Sequence, residues 1–249
     1  MKIRVVIPVR LQSSRLPNKP LLEIAGKTML QRVYERACQA NADSILIATD
    51  SYDIMKHARS INAPVCLTST QHQSGTERIA EVISLKNYDK DDIIVNVQGD
   101  EPLIPPKLID QVADDLIRHP EAVTATLCEP VDSVTVLHDP NVVKVVVDHQ
   151  GYALYFSRSP IPWLRDQRDG SQNEWLSCAC RHIGLYAYRA GFLKIYAALP
   201  NIALGKITAL EQLRILYYGH KIHVAQAKEA PGIGVDTAED LRKVRDSFL

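Results

Sequence analysis

The sequence predicts an α/β fold with a mostly parallel central sheet and helices on both of its faces. Short β-branched runs alternate with helix-length segments in the first half of the chain, which is the pattern of βαβ units. The 249 residues are 46% hydrophobic, which is enough to build a sizeable core. From about residue 124 the pattern changes to short strands broken by turns. We therefore expect a single domain over residues 1–249, with an insertion at about residues 150–190.

The predicted elements of the first half follow in order. The strands are residues 3–7, 44–48, 65–67 and 92–97, and the helices are residues 29–40, 51–61, 76–85 and 107–118. Each strand is apolar, and each helix keeps one apolar face, as residues 108, 109, 112 and 116 do in the last of them.

In the second half, the predicted strands are residues 124–127, 142–148, 152–157, 181–188 and 222–227. Gln150 and Gly151 predict a hairpin turn between two of them. Prolines make residues 159–163 extended, and residues 164–174 form a polar loop without periodicity. Helices are predicted over residues 190–198, over residues 209–218 with Gly219 as the stop, and from Thr237 onward.

Composition restricts the class of ligand. The 29 basic side chains balance 29 acidic ones, so we expect neither nucleic acid nor an anionic membrane as a partner, but a small charged ligand. The first residues lack the apolar core of a signal peptide, and no stretch is long enough to span a bilayer, which predicts a cytoplasmic protein. Five cysteines without a framework spacing are interpreted as buried thiols in a reducing compartment.

A basic loop follows the first predicted strand. It carries Arg10, Arg15 and Lys19, and it leaves the carboxyl end of that strand, where open parallel sheets bind their ligands. Guanidinium forks and an ammonium group together suit a triphosphate. The alternative is a solvated basic loop without a ligand.

Two aspartates are candidate metal ligands. Asp100 follows an apolar strand and a glycine, so its carboxylate is expected at the same edge of the sheet, and Asp236 precedes the last helix. Mg²⁺ prefers such hard oxygen ligands together with phosphate and water. The alternatives are a turn-capping aspartate at position 100 and a helix N-cap at position 236.

Further polar side chains interrupt apolar segments. Ser74 and Gly75 enter a predicted helix, so its first amides are available to an anion or to a base edge. Other polar groups lie on predicted strands and helices and resemble a pocket for a polyhydroxy acid: Arg158, His182, Tyr186, Glu211 and Gln212. The alternative for each of them is a structural residue whose polar groups form hydrogen bonds within the protein.

Nine segments in order resemble the 3-deoxy-manno-octulosonate (Kdo) cytidylyltransferase family, from the first strand to the final helix. They are VIPVR (6–10), SRLPNKPL (14–21), ATD (48–50), HQSGTER (72–78), VNVQGDEP (95–102), ALYFSR (153–158), RH (181–182), LEQLR (210–214) and GVDT (234–237). Two positions depart from the family pattern, which usually has Ala where Val9 stands and Gly where Asn18 stands. Asn can still adopt the left-handed backbone that Gly would.

The resemblance implies a Rossmann-like nucleotidyltransferase with a smaller dimerisation insertion, and transfer of CMP from CTP to Kdo for lipopolysaccharide biosynthesis. It implies that the CTP site contains Pro8, Val9, Arg10, Arg15, Lys19, Ser74, Gly75 and Arg78. It implies Mg²⁺ on Asp100 and Asp236, and catalytic roles for these two aspartates, Lys19 and Arg10. The sugar acid would contact Gln98, Arg158, His182, Tyr186, Glu211 and Gln212. Family members are usually homodimers, with residues 150–190 the candidate contact.

Two other functions stay open at this point. One is a cytidylyltransferase for a different acidic sugar, such as 8-amino-Kdo or a sialic acid, which would change the pocket and keep the chemistry. The other is a nucleotide-sensing protein without catalysis on the same fold. The presence of both Asp100 and Asp236 argues against the second.

Overall fold

The structure is a computed structural model that describes residues 1–12, 15–165 and 171–248, with only the backbone described at residues 171–174. The strands are β1 (Ile3–Val9), β2 (Glu23–Ile24), β3 (Lys27–Thr28), β4 (Ser44–Thr49), β5 (Val65–Leu67), β6 (Ile93–Asn96), β7 (Ala122–Pro130), β8 (Lys144–Val147), β9 (Ala153–Ser157), β10 (Cys180–Arg189) and β11 (Lys221–Gln226). The helices are α1 (Met29–Ala37), α2 (Tyr52–Ser60), α3 (Gly75–Leu85), α4 (Pro106–Arg118), α5 (Val134–His138), α6 (Ser171–Cys178), α7 (Ala190–Ala198), α8 (Ala203–Thr208), α9 (Gln212–Tyr217) and α10 (Ala238–Asp246).

The central sheet is mostly parallel, as predicted. Its strand order is β11-β7-β10-β6-β1-β4-β5, and the β8–β9 hairpin attaches to β10. Strand β1 runs parallel to both β4 and β6, and β10 is antiparallel to β6 and β7. The predicted α/β fold with helices on both faces is thus confirmed.

The alternation of side chains along β1 explains why both faces of the sheet need helices. Val5 and Ile7 pack on one face with α1, α2 and α4, whereas Val6 packs on the other face with α3, α7 and α9. All three side chains are fully buried. A strand that is apolar on both faces is typical of a sheet covered on both sides.

The parallel register of β1 with β6 positions the candidate residues. Val6 pairs with Asn96, so the loop after β1 and the loop after β6 leave the sheet at the same edge. The basic loop and Asp100 therefore emerge side by side, as the rule for ligand sites in open α/β sheets predicts.

Several local expectations are confirmed by the backbone. Gly151 in the turn between β8 and β9 has φ +84° and Gly219 after α9 has φ +76°, which are left-handed conformations that favour glycine. Asn18 has φ 54° and ψ 28°, so it adopts the left-handed backbone expected of a residue that replaces glycine.

Two expectations are wrong. The predicted loop over residues 164–174 overlaps α6, which begins at Ser171, while residues 166–170 lie outside the described part of the chain. Trp175 and Ala179 pack against Val131 and Leu137, and this tertiary contact stabilises a helix that the polar local sequence does not signal. The cysteines are free thiols, but they are not all buried, since Cys38 and Cys178 are exposed.

No helix among the described residues is long and apolar enough to cross a bilayer.

Candidate active site

A cavity of about 300 Å³ opens at the carboxyl edge of the sheet, and we call it the cation cavity. Its walls come from the loops after β1 and β6, from the start of α3 and from Asp236, which lies two residues before α10. It brings together all of the predicted nucleotide and metal residues, together with the predicted sugar-acid residues Gln98 and Glu211: Pro8, Val9, Arg10, Arg15, Lys19, Ser74, Gly75, Arg78, Asp100 and Asp236. Residues more than two hundred positions apart in sequence thus meet at one edge, as the parallel sheet predicts.

Lys19 lies between the two candidate metal ligands. Its Nζ donates to Asp100 Oδ2 at 2.7 Å and to Asp236 Oδ1 at 3.1 Å, and its side chain is only 10% exposed. Arg15 Nη2 also donates to Asp236 Oδ1, at 3.1 Å. The two carboxylates therefore face one shared point, which the ammonium group of Lys19 occupies. The alternative role of Asp236 as a helix N-cap is wrong, because Thr237 caps α10.

The chemistry of this cluster fits a divalent cation. Asp100 and Asp236 offer hard carboxylate oxygens that converge on one ammonium group. Burial raises the pKa of the neighbouring Glu101 carboxyl to about 7, with added repulsion from Asp100 and Asp236. Burial is the main cause, and the part that comes from repulsion by Asp100 and Asp236 would be relieved by added positive charge at the cluster.

The end of β1 and the start of α3 approach closely. A Cβ on Gly75 would lie 3.2 Å from Pro8 Cγ, and a Cβ on Gly99 would lie 2.8 Å from Val9 Cγ2. Glycine at both positions therefore lets the backbone at Gly75 and Gly99 pack closely against Pro8 and Val9. Val9 is 5% exposed and belongs to the core, so its extra bulk relative to alanine is accommodated beside Gly99.

The first turn of α3 lines the cation cavity. Ser74 is the N-cap residue, and its hydroxyl accepts from the amide of Glu77. This cap leaves other early amides of the helix at the cavity, where the helix dipole favours an anion.

Arg78 lines the same cavity but is committed to the protein. Its Nη1 donates to Thr68 Oγ1 at 2.5 Å and its Nη2 to Asp50 Oδ2 at 2.6 Å, and the residue is 4% exposed. Thr68 follows β5 and Asp50 follows β4. Arg78 therefore connects α3 to these two strand ends. If it also contacts a ligand, as predicted, its guanidinium would do so while it keeps these two hydrogen bonds.

A second cavity, of about 340 Å³, lies beside the first, and we call it the aromatic cavity. It is lined by Tyr186, Tyr188 and Tyr196 and by the predicted sugar-acid residues Gln98, Arg158, His182, Tyr186, Glu211 and Gln212. The two cavities share Gly75, Gln98, Asp100 and Glu211. A ligand in one would thus touch the same wall as a ligand in the other.

Arg158 is held at the aromatic cavity by backbone carbonyls. Its Nε donates to Thr208 O at 2.7 Å and its Nη1 to Pro140 O at 2.9 Å. The carbonyl of Arg158 itself accepts from Lys144 Nζ, which also donates to the carbonyls of Asp139 and Val142. Lys144 is fully buried, and burial lowers its pKa. This lysine, which the sequence analysis missed, fixes the backbone that carries Arg158.

His182 is buried and neutral, and one of its ring nitrogens contacts a hydroxyl. Burial lowers its pKa to about 3. Its Nε2 lies 2.9 Å from Thr126 Oγ1, and that hydroxyl is also 2.8 Å from the carbonyl oxygen of Leu185. The carbonyl oxygens of Ile183, at 3.0 Å, and Leu185, at 2.8 Å, can each accept the one proton of this hydroxyl, and with the proton there Nε2 carries the imidazole proton. Nδ1 is then an acceptor, which suits a sugar hydroxyl.

Tyr186, Glu211 and Gln212 complete the predicted set. Tyr186 packs 5.3 Å from the His182 ring, and burial raises its pKa well above the ordinary tyrosine value, so the phenol stays protonated. Glu211 accepts from Thr76 Oγ1 at 3.1 Å, and Gln212 is buried at the start of α9. The aromatic cavity thus offers several hydrogen-bonding side chains, one guanidinium, and the carboxyl groups of Asp100 and Glu211.

Sequence reasoning did not find other residues of these walls, among them Gln12, Gln73, Thr76 and Asn96. Gln73 and Thr76 lie within HQSGTER, and Asn96 lies within VNVQGDEP; both segments carry the family resemblance, so they were the available signal. For the rest, chain position relative to strand ends is the only signal, and it does not tell which side chain faces the cavity.

A separate cluster lies between α4 and β11. Asp115 accepts from His223 Nδ1 at 2.6 Å, and the rings of His119 and His223 stack with centroids 3.4 Å apart and planes 11° apart. Metal-binding nitrogen lone pairs lie in the ring plane, so two stacked imidazoles cannot both direct them at one ion. We interpret this cluster as structural.

Comparison with known proteins identifies the relatives of this chain. A family model described as cytidylyltransferase matches residues 4–222. The 3-deoxy-manno-octulosonate cytidylyltransferase of Nitrosococcus oceani is 52% identical over 100% of this chain and 97% of its own length. That of Aliivibrio fischeri is 54% identical over 98% of both chains.

A solved structure is also similar over the whole chain. It is CMP:2-keto-3-deoxy-manno-octonic acid synthetase in complex with CTP, with 39% identity, a TM-score of 0.90 and coverage of 100% of this chain and 98% of that one.

Proposed function

Because this chain belongs to the 3-deoxy-manno-octulosonate cytidylyltransferase family, we propose that its two adjoining cavities serve one reaction. The enzyme is a nucleotidyltransferase that transfers CMP from CTP to the anomeric C2 hydroxyl of Kdo and releases pyrophosphate. The product, CMP-Kdo, is the activated sugar for lipopolysaccharide biosynthesis. The position of Asp100 carries the proposal, because this residue lines both the cation cavity and the aromatic cavity.

The cation cavity takes CTP. Arg10, Arg15 and Lys19 bind the phosphates, with the pyrophosphate leaving group on their side of the cavity. The loop backbone at Pro8 and Val9 and the Ser74–Gly75 turn contact cytosine and ribose, which the close approach of Gly75 to Pro8 supports. Arg78 contributes to this wall while anchored to Asp50.

The aromatic cavity takes Kdo. Arg158 pairs with the sugar carboxylate, while Gln98, His182, Tyr186, Glu211 and Gln212 bind hydroxyls. Both substrates are anionic, so their approach is electrostatically unfavourable. Cationic side chains on opposite walls, Arg158 on one and Arg10, Arg15 and Lys19 on the other, offset this repulsion and hold the hydroxyl against the α-phosphorus.

The metal is assigned as Mg²⁺ on Asp100 and Asp236. These carboxylates fit a hard cation because they converge on the point that Lys19 occupies. When bound, a divalent cation supplies positive charge that polarises the α-phosphate and acidifies the attacking hydroxyl. The protein's own contribution is to align the sugar. Arg158 pairs with its carboxylate, and neutral His182 forms a hydrogen bond with one of its hydroxyls.

The proposed function is tested by pyrophosphate release. We expect turnover with CTP and Kdo, and at least about tenfold lower kcat/KM with UTP or ATP, because base contacts are lost. A panel of acidic sugars at fixed CTP ranks Kdo against 8-amino-Kdo and a sialic acid. If either alternative sugar reacts faster than Kdo, that sugar is the substrate instead. If no pair of nucleotide and sugar releases pyrophosphate, the result favours a nucleotide sensor.

A homodimer through the insertion at about residues 150–190 is the second part of the proposal. Strand β9 pairs with β8 and is otherwise an edge in the described sheet, and Leu154 on it is 62% exposed. Trp163, just beyond it, is 67% exposed. An exposed apolar edge strand favours pairing with another chain. When that chain is a second copy of this protein, one contact covers the β9 edge of each copy.

Replacing Leu154 and Trp163 together by Asp should convert the dimer into a monomer, because two charges would be buried at the contact. Light scattering after size-exclusion chromatography measures the mass directly. The matched control is Ile207→Asp, since Ile207 is 84% exposed on α8, outside the insertion. A double variant that remains dimeric, or a wild-type chain that is monomeric at micromolar concentration, would contradict this interface.

A further inference from the structure

Asn96 is the last residue of β6 and lies where its neighbours are apolar. It pairs with Val6 on β1 and with Tyr186 on β10, and Ile94, two positions earlier on the same face, is fully buried. Asn96 itself is 2% exposed. An amide at such a position loses its water on folding and needs hydrogen-bond partners from the protein.

The side-chain oxygen of Asn96 has no such partner. Among the described residues, Asn96 Oδ1 and Arg214 Nε are the buried side-chain atoms without a hydrogen bond. Other buried polar side chains of the same sheet are paired: Thr124 Oγ1, for example, donates to Ala187 O at 2.7 Å. An unpaired buried acceptor destabilises the folded protein, so an apolar residue would be preferred if stability alone decided the position.

The location of this unpaired oxygen points to a ligand. Asn96 lines the aromatic cavity together with Gln98, His182 and Tyr186. The amide of Asn96 therefore lies at the wall of this cavity, where a bound molecule that presents a hydroxyl or amine would satisfy its oxygen. The ring of His182 lines the same cavity, and its Nε2 is engaged by Thr126 Oγ1 at 2.9 Å, which leaves its Nδ1 for a ligand.

We propose that Asn96 is a specificity-determining residue of the sugar site, whose amide oxygen accepts a hydrogen bond from a hydroxyl of the acidic sugar. The inference rests on the proposed function and extends it, because Asn96 is an acceptor whereas Arg158 is the donor for the carboxylate. The cavity then recognises a polyhydroxy acid from two sides: a guanidinium takes the anion, and buried acceptors take hydroxyl protons. A sugar lacking the matching hydroxyl leaves Asn96 unpaired.

The test compares Asn96→Leu with wild type and with Thr124→Val. Leucine has nearly the shape of asparagine, so Asn96→Leu removes the acceptor and leaves little cavity. We expect KM for Kdo to rise about 10- to 100-fold while KM for CTP stays unchanged. The melting temperature without ligand should stay equal or rise, because the unpaired oxygen is gone.

Thr124→Val is the matched control, since it removes a buried polar group that is already paired. It should lower the melting temperature and leave KM for Kdo unchanged. A structural role for Asn96, for example through an ordered water, predicts this control behaviour for Asn96→Leu as well. A KM for Kdo within about twofold of wild type in Asn96→Leu would therefore overturn the inference.

Two further measurements keep the outcome decisive. If Asn96→Leu does not fold, Asn96→Ser retains an oxygen and is expected to fold with an intermediate KM for Kdo; a wild-type KM in Asn96→Ser would overturn the inference. Kdo analogues that each lack one hydroxyl identify the partner: wild type should discriminate against one of them, and the Asn96 variant should lose that discrimination. Failure of the proposed function is separate, because wild type itself would then release no pyrophosphate with Kdo.

Discussion

Asp100→Asn is expected to abolish turnover, with kcat at least about 10³-fold below wild type, while CTP binding is retained. Asp100 lines both cavities and accepts from Lys19 Nζ, so on the proposed function it lies where the sugar hydroxyl and the α-phosphate would meet. Asparagine keeps the size of the side chain but removes its negative charge, and with it the affinity for a hard cation. The side chains of the basic loop, which we propose bind the phosphates, are untouched.

The measurement pairs pyrophosphate release with a CTP titration by calorimetry. Asp236→Asn should behave in the same way, since both carboxylates share Lys19. The control is Asp114→Asn, because Asp114 is exposed on α4 and lines neither cavity. Activity of Asp100→Asn within about tenfold of wild type would remove Asp100 from the metal site.

Lys19→Met is expected to change catalysis and metal affinity in opposite directions. Lys19 Nζ occupies the point on which Asp100 and Asp236 converge, so it competes with a cation in the free protein. Removing it should tighten binding of a divalent ion without nucleotide by about tenfold or more, because two close carboxylates lose their counter-charge. The same change should lower kcat/KM for CTP by about 10²- to 10³-fold, because the leaving group loses a cation.

Mn²⁺ titration followed by electron paramagnetic resonance gives the metal affinity, and steady-state kinetics give kcat/KM. Lys27→Met is a suitable control, since Lys27 pairs with Glu35 away from the cavity. The proposed site would be contradicted if Lys19→Met bound Mn²⁺ no more tightly than wild type and kept its activity.

The sheet edge that carries the site was predictable from the sequence because the rule involved is topological. Apolar runs and their spacing indicate parallel strands, and the ends of such strands meet at one edge whatever their separation in sequence. The convergence of Lys19, Asp100 and Asp236 in one cavity follows from this rule. Their roles toward CTP and the metal remain predictions.

Other features were not predictable because they depend on side-chain packing. The helix α6 forms where Trp175 packs on Leu137, and the local sequence is polar. The proton on His182 Nε2 depends on Thr126 of a neighbouring strand. Likewise, nothing in the sequence around Asn96 distinguishes a paired amide from an unpaired one. Such contacts between distant segments leave no signal in the hydrophobic periodicity of the sequence.

The central claim is that the C2 hydroxyl of Kdo attacks the α-phosphorus of CTP between the two cavities. Turnover with CTP labelled at either the α- or the γ-phosphorus tests it most directly. The α-label should appear in the sugar product and the γ-label in pyrophosphate, in equal amounts and only when Kdo is present. Release of the γ-label as orthophosphate, or an α-label that stays in free CMP, would contradict the claim.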